Sequence, residues 1–526
     1  MEKRKAKITG IISEYNPFHE GHRYQIRKAG EITGADAVVV VMNGDFVQRG
    51  ECAVVDKYVR TKMALLGGAD YVFELPVRYG ISSASDFAYG GILALESLGC
   101  VDAVCFGCEA PEDIDIMADI FWRCQREEEG IMQMKGYAAQ GLSYPAARQR
   151  FLQEKTGWSE KKCHERMQPG NILGAEYRQA IRLLGSSMRC EPILREGMGY
   201  HQVTPEKEND WKYMSATAIR AQLENGFEQV KGMSEEALKA WKEAGYSMKT
   251  EDFWPVLALA LRLRKEKLVS YKDVSEDLAA VFSREILQAA DYESFIHACK
   301  TKNITMARVK RAMLQILFEV KKEERETRMP YLRLLGRRKD ACPLPLGNSE
   351  TPVVGRLAKE EERLSGSDRE KLAQDIFAAD IYHMTVAQKT GMPQKNEYNQ
   401  PMVIVGLKEV VTMEQRLKNY LKFYGETAGG SRKIEGDKGE FLSQMLIQIG
   451  FFQHERLIHL IVTVLFAILA VISILASLLI QEWAVLLLCL MFFVLLIPYI
   501  RHYYILENGV QKLYEYYDQI YAAEEK

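Results

Sequence analysis

Two histidines, His19 and His22, flank Gly21 in the segment Pro17-Phe18-His19-Glu20-Gly21-His22. Imidazoles donate or accept protons near neutrality, and a glycine between them lets a phosphate approach the backbone closely. The pair follows the apolar run Ile8-Thr9-Gly10-Ile11-Ile12 and the turn Ser13-Glu14-Tyr15-Asn16-Pro17, and the spacing predicts a helix from there through Ala29. A helix start would aim free N–H groups at the same point as the two rings. The competing reading is a pair of histidines that only cap a helix. The strand, turn and helix around them favour the phosphate site.

Other candidates carry compatible chemistry. Asp45, Gln48 and Arg49 share a loop between Gly44 and Gly50, and Arg49 suits bidentate clamping of a phosphate or an RNA backbone. A solvated arginine in a tight loop is the alternative. Asn171 stands at a predicted helix start, where it either caps or reaches a ribose or base. Arg195 is delivered by a predicted strand, 192–195. Ser215, Thr217 and Arg220 open another helix and would form the second jaw of a triphosphate clamp. Arg308 and Arg311 lie three apart on a predicted helix, with Lys300, Lys302 and Lys310 nearby and Arg333, Arg337, Arg338 and Lys339 further on. These stretches either follow the phosphates of a folded RNA or form a solvated face.

The elements that must position these groups alternate. Short apolar runs at 8–12, 37–41, 71–75 and 103–106 are separated by helical stretches, including 57–66 and 87–98, which predicts a parallel sheet covered on both faces. Ligands bind such sheets outside the carboxyl ends of the strands, where the candidates fall. Beyond about residue 226 the pattern turns helical, at 256–263 and 306–320, with a closing strand near 402–405 and an amphipathic helix at 414–424. Residues 425–439, rich in glycine and charge, predict a linker.

Lysine plus arginine number 69 against 71 acidic residues, so no global field marks a nucleic-acid binder and any RNA contact must be local. Ten cysteines without a paired ladder predict reduced, buried thiols in the cytosol, Cys105 and Cys108 included, and no metal site. The N-terminal residues run straight into the first strand with no secretory apolar region. Residues 457–480 and 483–500 are long apolar runs separated by Gln481-Glu482, which predicts a membrane hairpin, and Arg456 and Arg501 put both flanks on the cytoplasmic side.

The loop 10–22 resembles the nucleotidyltransferase superfamily named for its His-Ile-Gly-His motif. Further stretches recur in the same order: 44–50, Asp56-Lys57, Glu74-Leu75-Pro76, Phe106-Gly107-Cys108-Glu109, Asn171-Ile172-Leu173-Gly174, Gly199-Tyr200-His201 and 215–220. Together they are similar to the bacterial tRNA(Met) cytidine acetate ligase family. The resemblance implies an enzyme that activates acetate with ATP, Mg2+ accompanying the nucleotide, to give acetyl-adenylate and diphosphate. The acetyl group then passes to the exocyclic amine of the wobble cytidine of elongator tRNA(Met). It implies a nucleotide site of Ile12, Ser13, Glu14, Tyr15, Asn16, Pro17, Phe18, His19, Gly21, His22 and Gln25, with Gly107, Asn171, Arg195, Ser215 and Thr217. His19 and His22 would stabilise charge developing on the α-phosphate. Arg49, Lys302, Arg308 and Arg311 are the candidate RNA contacts.

The expected architecture is a Rossmann-like parallel-sheet catalytic domain (1–225), a mainly helical tRNA-binding domain (226–406), an amphipathic helix and linker (407–456), a transmembrane hairpin (457–500) and a cytoplasmic tail (501–526). Asp45 stands where the family usually has Asn, Cys108 where it has Ser, and the tail after residue 406 is an addition. A carboxylate at 45 would repel acetate or triphosphate unless Arg49 or Lys57 pairs with it. The alternatives are a nucleotidyltransferase acting on a small phosphate ester, against which the helical region argues, and a membrane adaptor with a non-catalytic nucleotide fold, against which the intact His19, His22, Ser215 and Thr217 argue.

Overall fold

A computed structural model describes residues 6–195, 213–223, 230–301, 304–346, 349–406, 413–430, 438–480 and 483–522. Gly199-Tyr200-His201, Lys302 and the boundary at 225/226 lie outside the described residues. The chain divides into two compact units, Met1–Leu407 and Lys408–Lys526.

The first unit is built on a sheet of strands β1 (Ile8–Ser13), β2 (Ala37–Asn43), β5 (Tyr71–Leu75), β6 (Ala103–Cys108), β7 (Arg189–Leu194), β8 (Leu332–Arg338), β9 (Val353–Val354) and β10 (Val403–Val405). A separate small hairpin pairs β3 (Phe46–Val47) with β4 (Glu51–Cys52). The order is β10-β8-β5-β2-β1-β6-β7, with β9 on β8. The chain winds outward from β1 to β2 and β5, then returns to β6 on the other flank of β1. The end of β1 is therefore a switch point, where a crevice opens for a ligand.

Near-continuous apolar runs explain the central strands. Val38, Val40 and Met42 of β2 enter one core and Val39 and Val41 the opposite one; β6 sends Cys105 one way and Val104, Phe106 and Cys108 the other. Each fully buried valine contributes roughly 1.5–3 kcal/mol of transfer free energy. The helix Lys57–Leu66, with Asp56 accepting from Tyr58 and Val59 N–H groups, has the predicted span.

Three expectations are corrected. The sheet is mixed rather than wholly parallel: β8 runs antiparallel to β5, with a register shift between Val72 and Phe73. The stretch around Arg333, Arg337 and Arg338 is a sheet strand, not a free basic face. Arg333 is buried, donates to Gly355 O at 2.8 Å and lies 3.8 Å from Glu397; Arg338 lies 3.6 Å from Asp70. The helical region also does not form a core of its own. One hydrophobic cluster joins Ile11, Val40 and Ile219 to Trp241, Phe282, Phe318 and Tyr382, so the expected catalytic and helical domains share an interior.

The second unit consists of helices Met413–Ala428, Lys438–Ile480 and Trp483–Ala522. Two of them are long and apolar enough to cross a membrane. Large apolar side chains such as Leu478, Leu479 and Trp483 are exposed there. The expected linker at 425–439 begins later than predicted, because the helix runs through Ala428, and residues 438–456 and 501–522 continue the two long helices rather than forming linker and tail. Leu417, Tyr424, Met445, Phe452, Val510 and Leu513 pack those ends into a small aromatic-rich core.

Candidate active site

The loop after β1 ends at His19, which caps the helix Glu20–Thr33 from an extended backbone, φ −144° and ψ 175°. Its Nδ1 accepts the Gly21 N–H at 3.1 Å, and the His19 N–H donates to Nδ1 of His22 at 3.3 Å. The two rings stack at 3.7 Å, and Tyr15 meets His22 edge-on at 4.7 Å. Both Nδ1 atoms act as acceptors, so each neutral ring carries its proton on Nε2 and offers one N–H donor. Burial, aided by Arg195 and Arg220, pushes His19 down to about 3; burial, His19 and Arg195 push His22 well below its ordinary value. The pair is uncharged at neutral pH.

The first-turn N–H groups are not free, contrary to expectation. Glu20 N donates to Gly232 O at 2.9 Å, Gly21 N to the His19 ring, and His22 N to His19 O at 2.9 Å. The glycine between the histidines has a local cause as well, since a Cβ at Gly21 would stand 2.9 Å from His19 Cε1. Side chains must therefore supply most of the donors to an anion.

They converge on one cleft. Ile12, Ser13, Glu14, Tyr15, Asn16, His19, Gly21, His22 and Gln25 line it from the β1 loop, Gly107 and Arg195 from β6 and β7, and Ser215, Thr217 and Arg220 from the second helix start. Ser215 Oγ accepts from Ala218 N at 3.1 Å and so caps the helix Ala216–Leu223. Arg220 ties the jaws together, donating to Asn16 O at 2.7 Å and to Thr217 Oγ1 at 3.3 Å. Arg195 lies 3.3 Å from Glu109. Leu173, Tyr177, Ile193 and Leu194 add an apolar wall that was not among the expected contacts, although Leu173 lies in one of the recurring motifs. Only their closeness to strand ends and to the Asn171 helix hinted at them.

Three expected nucleotide contacts do not face the cleft. Phe18 is buried against Gly67, and Pro17 before it is buried as well. Asn171 is fully buried; its Oδ1 accepts from Glu109 N and Ala110 N, both at 2.9 Å, and its Nδ2 donates to Arg166 O at 3.1 Å. It shapes the loop after β6 instead of reaching out.

The β3–β4 hairpin brings Val47, Gln48, Arg49 and Glu51 to the opposite wall. Gly50, at φ +77°, sits against the backbone of the helix Met306–Leu317, where a Cβ would lie 2.4 Å from Arg311 N. Lys310 Nζ pairs with Glu51 at 2.9 Å. On that helix Arg308 Nε donates to Asp273 O at 3.1 Å and Arg311 Nε to Asp273 Oδ2 at 2.9 Å. Both arginines thus hold a neighbouring turn, and of the described RNA candidates only Arg49 lines the cleft.

Asp45 and Cys108, the two departures, face away from the cleft. Asp45 is buried; its Oδ1 accepts Lys57 N at 2.6 Å and lies 3.8 Å from Arg60, and of the charges that oppose its burial Lys57 counts most, ahead of His383 and Arg60. Lys57 Nζ is occupied elsewhere, 2.8 Å from Glu74 and 2.7 Å from Glu397. Cys108 lies in the core on the face of β6 opposite to Gly107, and burial pushes its thiol up to about 12.

Residues 6–397 match the HIGH nucleotidyl transferase family. A tRNA(Met) cytidine acetate ligase of Halothermothrix orenii is 33% identical over 432 residues, covering 75% of this chain and 99% of the relative. The enzyme of that name from Caldicellulosiruptor saccharolyticus is 38% identical over 338 residues, 63% of this chain and 82% of the relative. The crystal structure of Thermotoga maritima TmcAL bound with alpha-thio ATP superposes with a TM-score of 0.68 at 27% identity, covering 76% of this chain and all of that one.

Proposed function

The chain belongs to the HIGH nucleotidyltransferase family, and from that membership we propose that it is an ATP-dependent acetate ligase acting on the wobble cytidine of elongator tRNA(Met). Acetate attacks the α-phosphate of ATP, giving acetyl-adenylate and diphosphate, and the acetyl group then passes to the cytidine amine to give N4-acetylcytidine. The observation that carries this reading is the convergence of His19, His22, Arg195, Ser215, Thr217 and Arg220 on one cleft at the switch point of the sheet. Two neutral imidazole N–H donors and two guanidinium groups can meet the charge that builds on the α-phosphate without covalent chemistry.

Among the described residues no cluster of three or more His, Cys, Asp or Glu side chains could hold a metal by itself. Mg2+ fits as a companion of the triphosphate, whose oxygens supply most of its ligands. The helical region holds the tRNA, with Arg49 at the cleft wall and Lys302 as further contacts to its phosphates. The two long apolar helices tether the enzyme to the inner face of the cell membrane.

The test is incubation with ATP, labelled acetate and bulk bacterial tRNA, followed by digestion to nucleosides. Label in N-acetylcytidine that disappears in His22→Ala supports both reaction and site. Acetate-dependent diphosphate release with no label in RNA keeps the adenylation step and removes the cytidine acceptor.

A further inference from the structure

A carboxylate inside a cleft that receives a triphosphate and acetate needs a reason, because like charges repel. Among the described lining residues there are two, Glu14 and Glu51. Lys310 compensates Glu51 at 2.9 Å. Glu14 is fixed differently: its Oε1 accepts the Gln48 N–H at 2.8 Å, and the charged groups facing it are Arg49, Glu51 and Arg220.

Its position is informative. Glu14 directly follows β1, the strand that divides the cleft. On the β6–β7 side the wall is Leu173, Tyr177, Ile193 and Leu194, apolar and suited to a nucleotide base. On the β2 side it is Gln48, Arg49 and Glu51, polar and suited to an acceptor that arrives on an RNA strand. Glu14 sits between these walls, on the loop that ends at His19.

Building on the acetate ligase reading above, we propose that Glu14 is the proton acceptor of the acetyl-transfer step. The lone pair of the cytidine amine forms the new C–N bond at the acetyl carbon. The bond from that carbon to the phosphate oxygen breaks, its electron pair leaving with AMP. One of the two amine protons passes to the Glu14 carboxylate and then to solvent. An aromatic amine is a weak nucleophile that becomes strongly acidic as it attacks, so a base held at that point accelerates the step. Burial raises the Glu14 carboxyl above its ordinary value, against the lowering effects of Arg49 and the Gln48 N–H, which makes the carboxylate a better base.

The test separates the two half-reactions in the full chain. Hydroxylamine traps acetyl-adenylate as acetohydroxamate and reports the first; acetylcytidine formed in tRNA reports the second. Glu14→Gln keeps an oxygen for the Gln48 N–H but cannot take a proton. We expect its transfer rate to fall about a hundredfold, at least about tenfold further than any loss of hydroxamate formation that the altered cleft lining brings. Wild-type transfer should rise with pH as Glu14 deprotonates, a rise that Glu14→Gln lacks and Glu14→Asp, which retains a carboxylate, partly restores. Transfer at the wild-type rate in Glu14→Gln overturns the proposal. Equal loss of both half-reactions also overturns it and places Glu14 on the nucleotide or its Mg2+. Failure of the wild type itself to acetylate RNA, with hydroxamate still formed, defeats the cytidine acceptor and this role together.

Discussion

His19 and His22 are neutral rings, each with one N–H left to donate. Each Nδ1 is already an acceptor for a backbone N–H, so protonating either ring would break the cap that orients it. Replacing either with alanine removes one preorganised N–H from the developing charge, and adenylation should fall about a hundredfold or more. Wild-type hydroxamate formation in either variant would remove that residue from a role in adenylation. The same burial has a consequence for stability. The folded His19 pKa, about 3, lies below the unfolded value near 6.5, so the unfolded chain binds more protons between them. The stabilisation is fully present above about pH 6.5 and is lost as pH falls toward 3. Urea midpoints at pH 7 and pH 5 should drop more for the wild type than for His19→Gln; an equal drop would show that His19 titrates normally. At this scale the sequence was most informative where chemistry and local structure coincide, as in the histidine pair. It misled where one side chain can cap or reach out, because the burial of Asn171 depends on the loop after β6 meeting a helix sixty residues away.

Lys57 begins a helix, pairs with Glu74 on β5 and reaches Glu397 beyond the long helix Gly366–Thr390. Tyr58 OH donates to the same Glu397 oxygen at 2.7 Å, and Arg333 of β8 lies nearby. A nearly fully buried ammonium between two carboxylates joins three distant elements. Breaking a buried pair by removing one partner is costly, so Lys57→Met should destabilise the first unit by about 3–5 kcal/mol in urea unfolding. A loss below about 1 kcal/mol would mean that the carboxylates simply take up protons, in which case the network does not hold the elements together. The network also explains which elements were legible. The strands 37–43 and 103–108 announced themselves by continuous apolar runs buried on both faces. β8 did not, since Leu332-Arg333-Leu334-Leu335-Gly336-Arg337-Arg338 reads as a basic stretch until Glu397 and Asp70, far along the chain, compensate its arginines.

Over the whole chain, the sequence pattern changes at 225/226, but described residues on its two sides pack together. Trp241, Phe282 and Tyr382 share one core with Ile11 and Val40, and β8 and β10 from the helical region extend the sheet. Apolar periodicity can reveal that a segment is helical, but not against which strand its apolar face will close. The change near residue 407 is different: it separates two units, and each has its own apolar cluster. The first contains every described lining residue of the cleft. The second contains the two helices able to cross a membrane. Deleting everything after Gly406 therefore removes no described cleft residue. The shortened protein should remain in the supernatant after high-speed centrifugation and trap acetyl-adenylate within about twofold of the full chain, since it keeps every described lining residue of the cleft. The full chain should sediment with membranes and need detergent to leave them, as expected for helices of that apolar length. A truncated protein that aggregates, or folds without activating acetate, would make the second unit part of the catalytic body. A full chain that stays in the supernatant without detergent would instead mean that the exposed apolar helices are covered by protein, not by lipid.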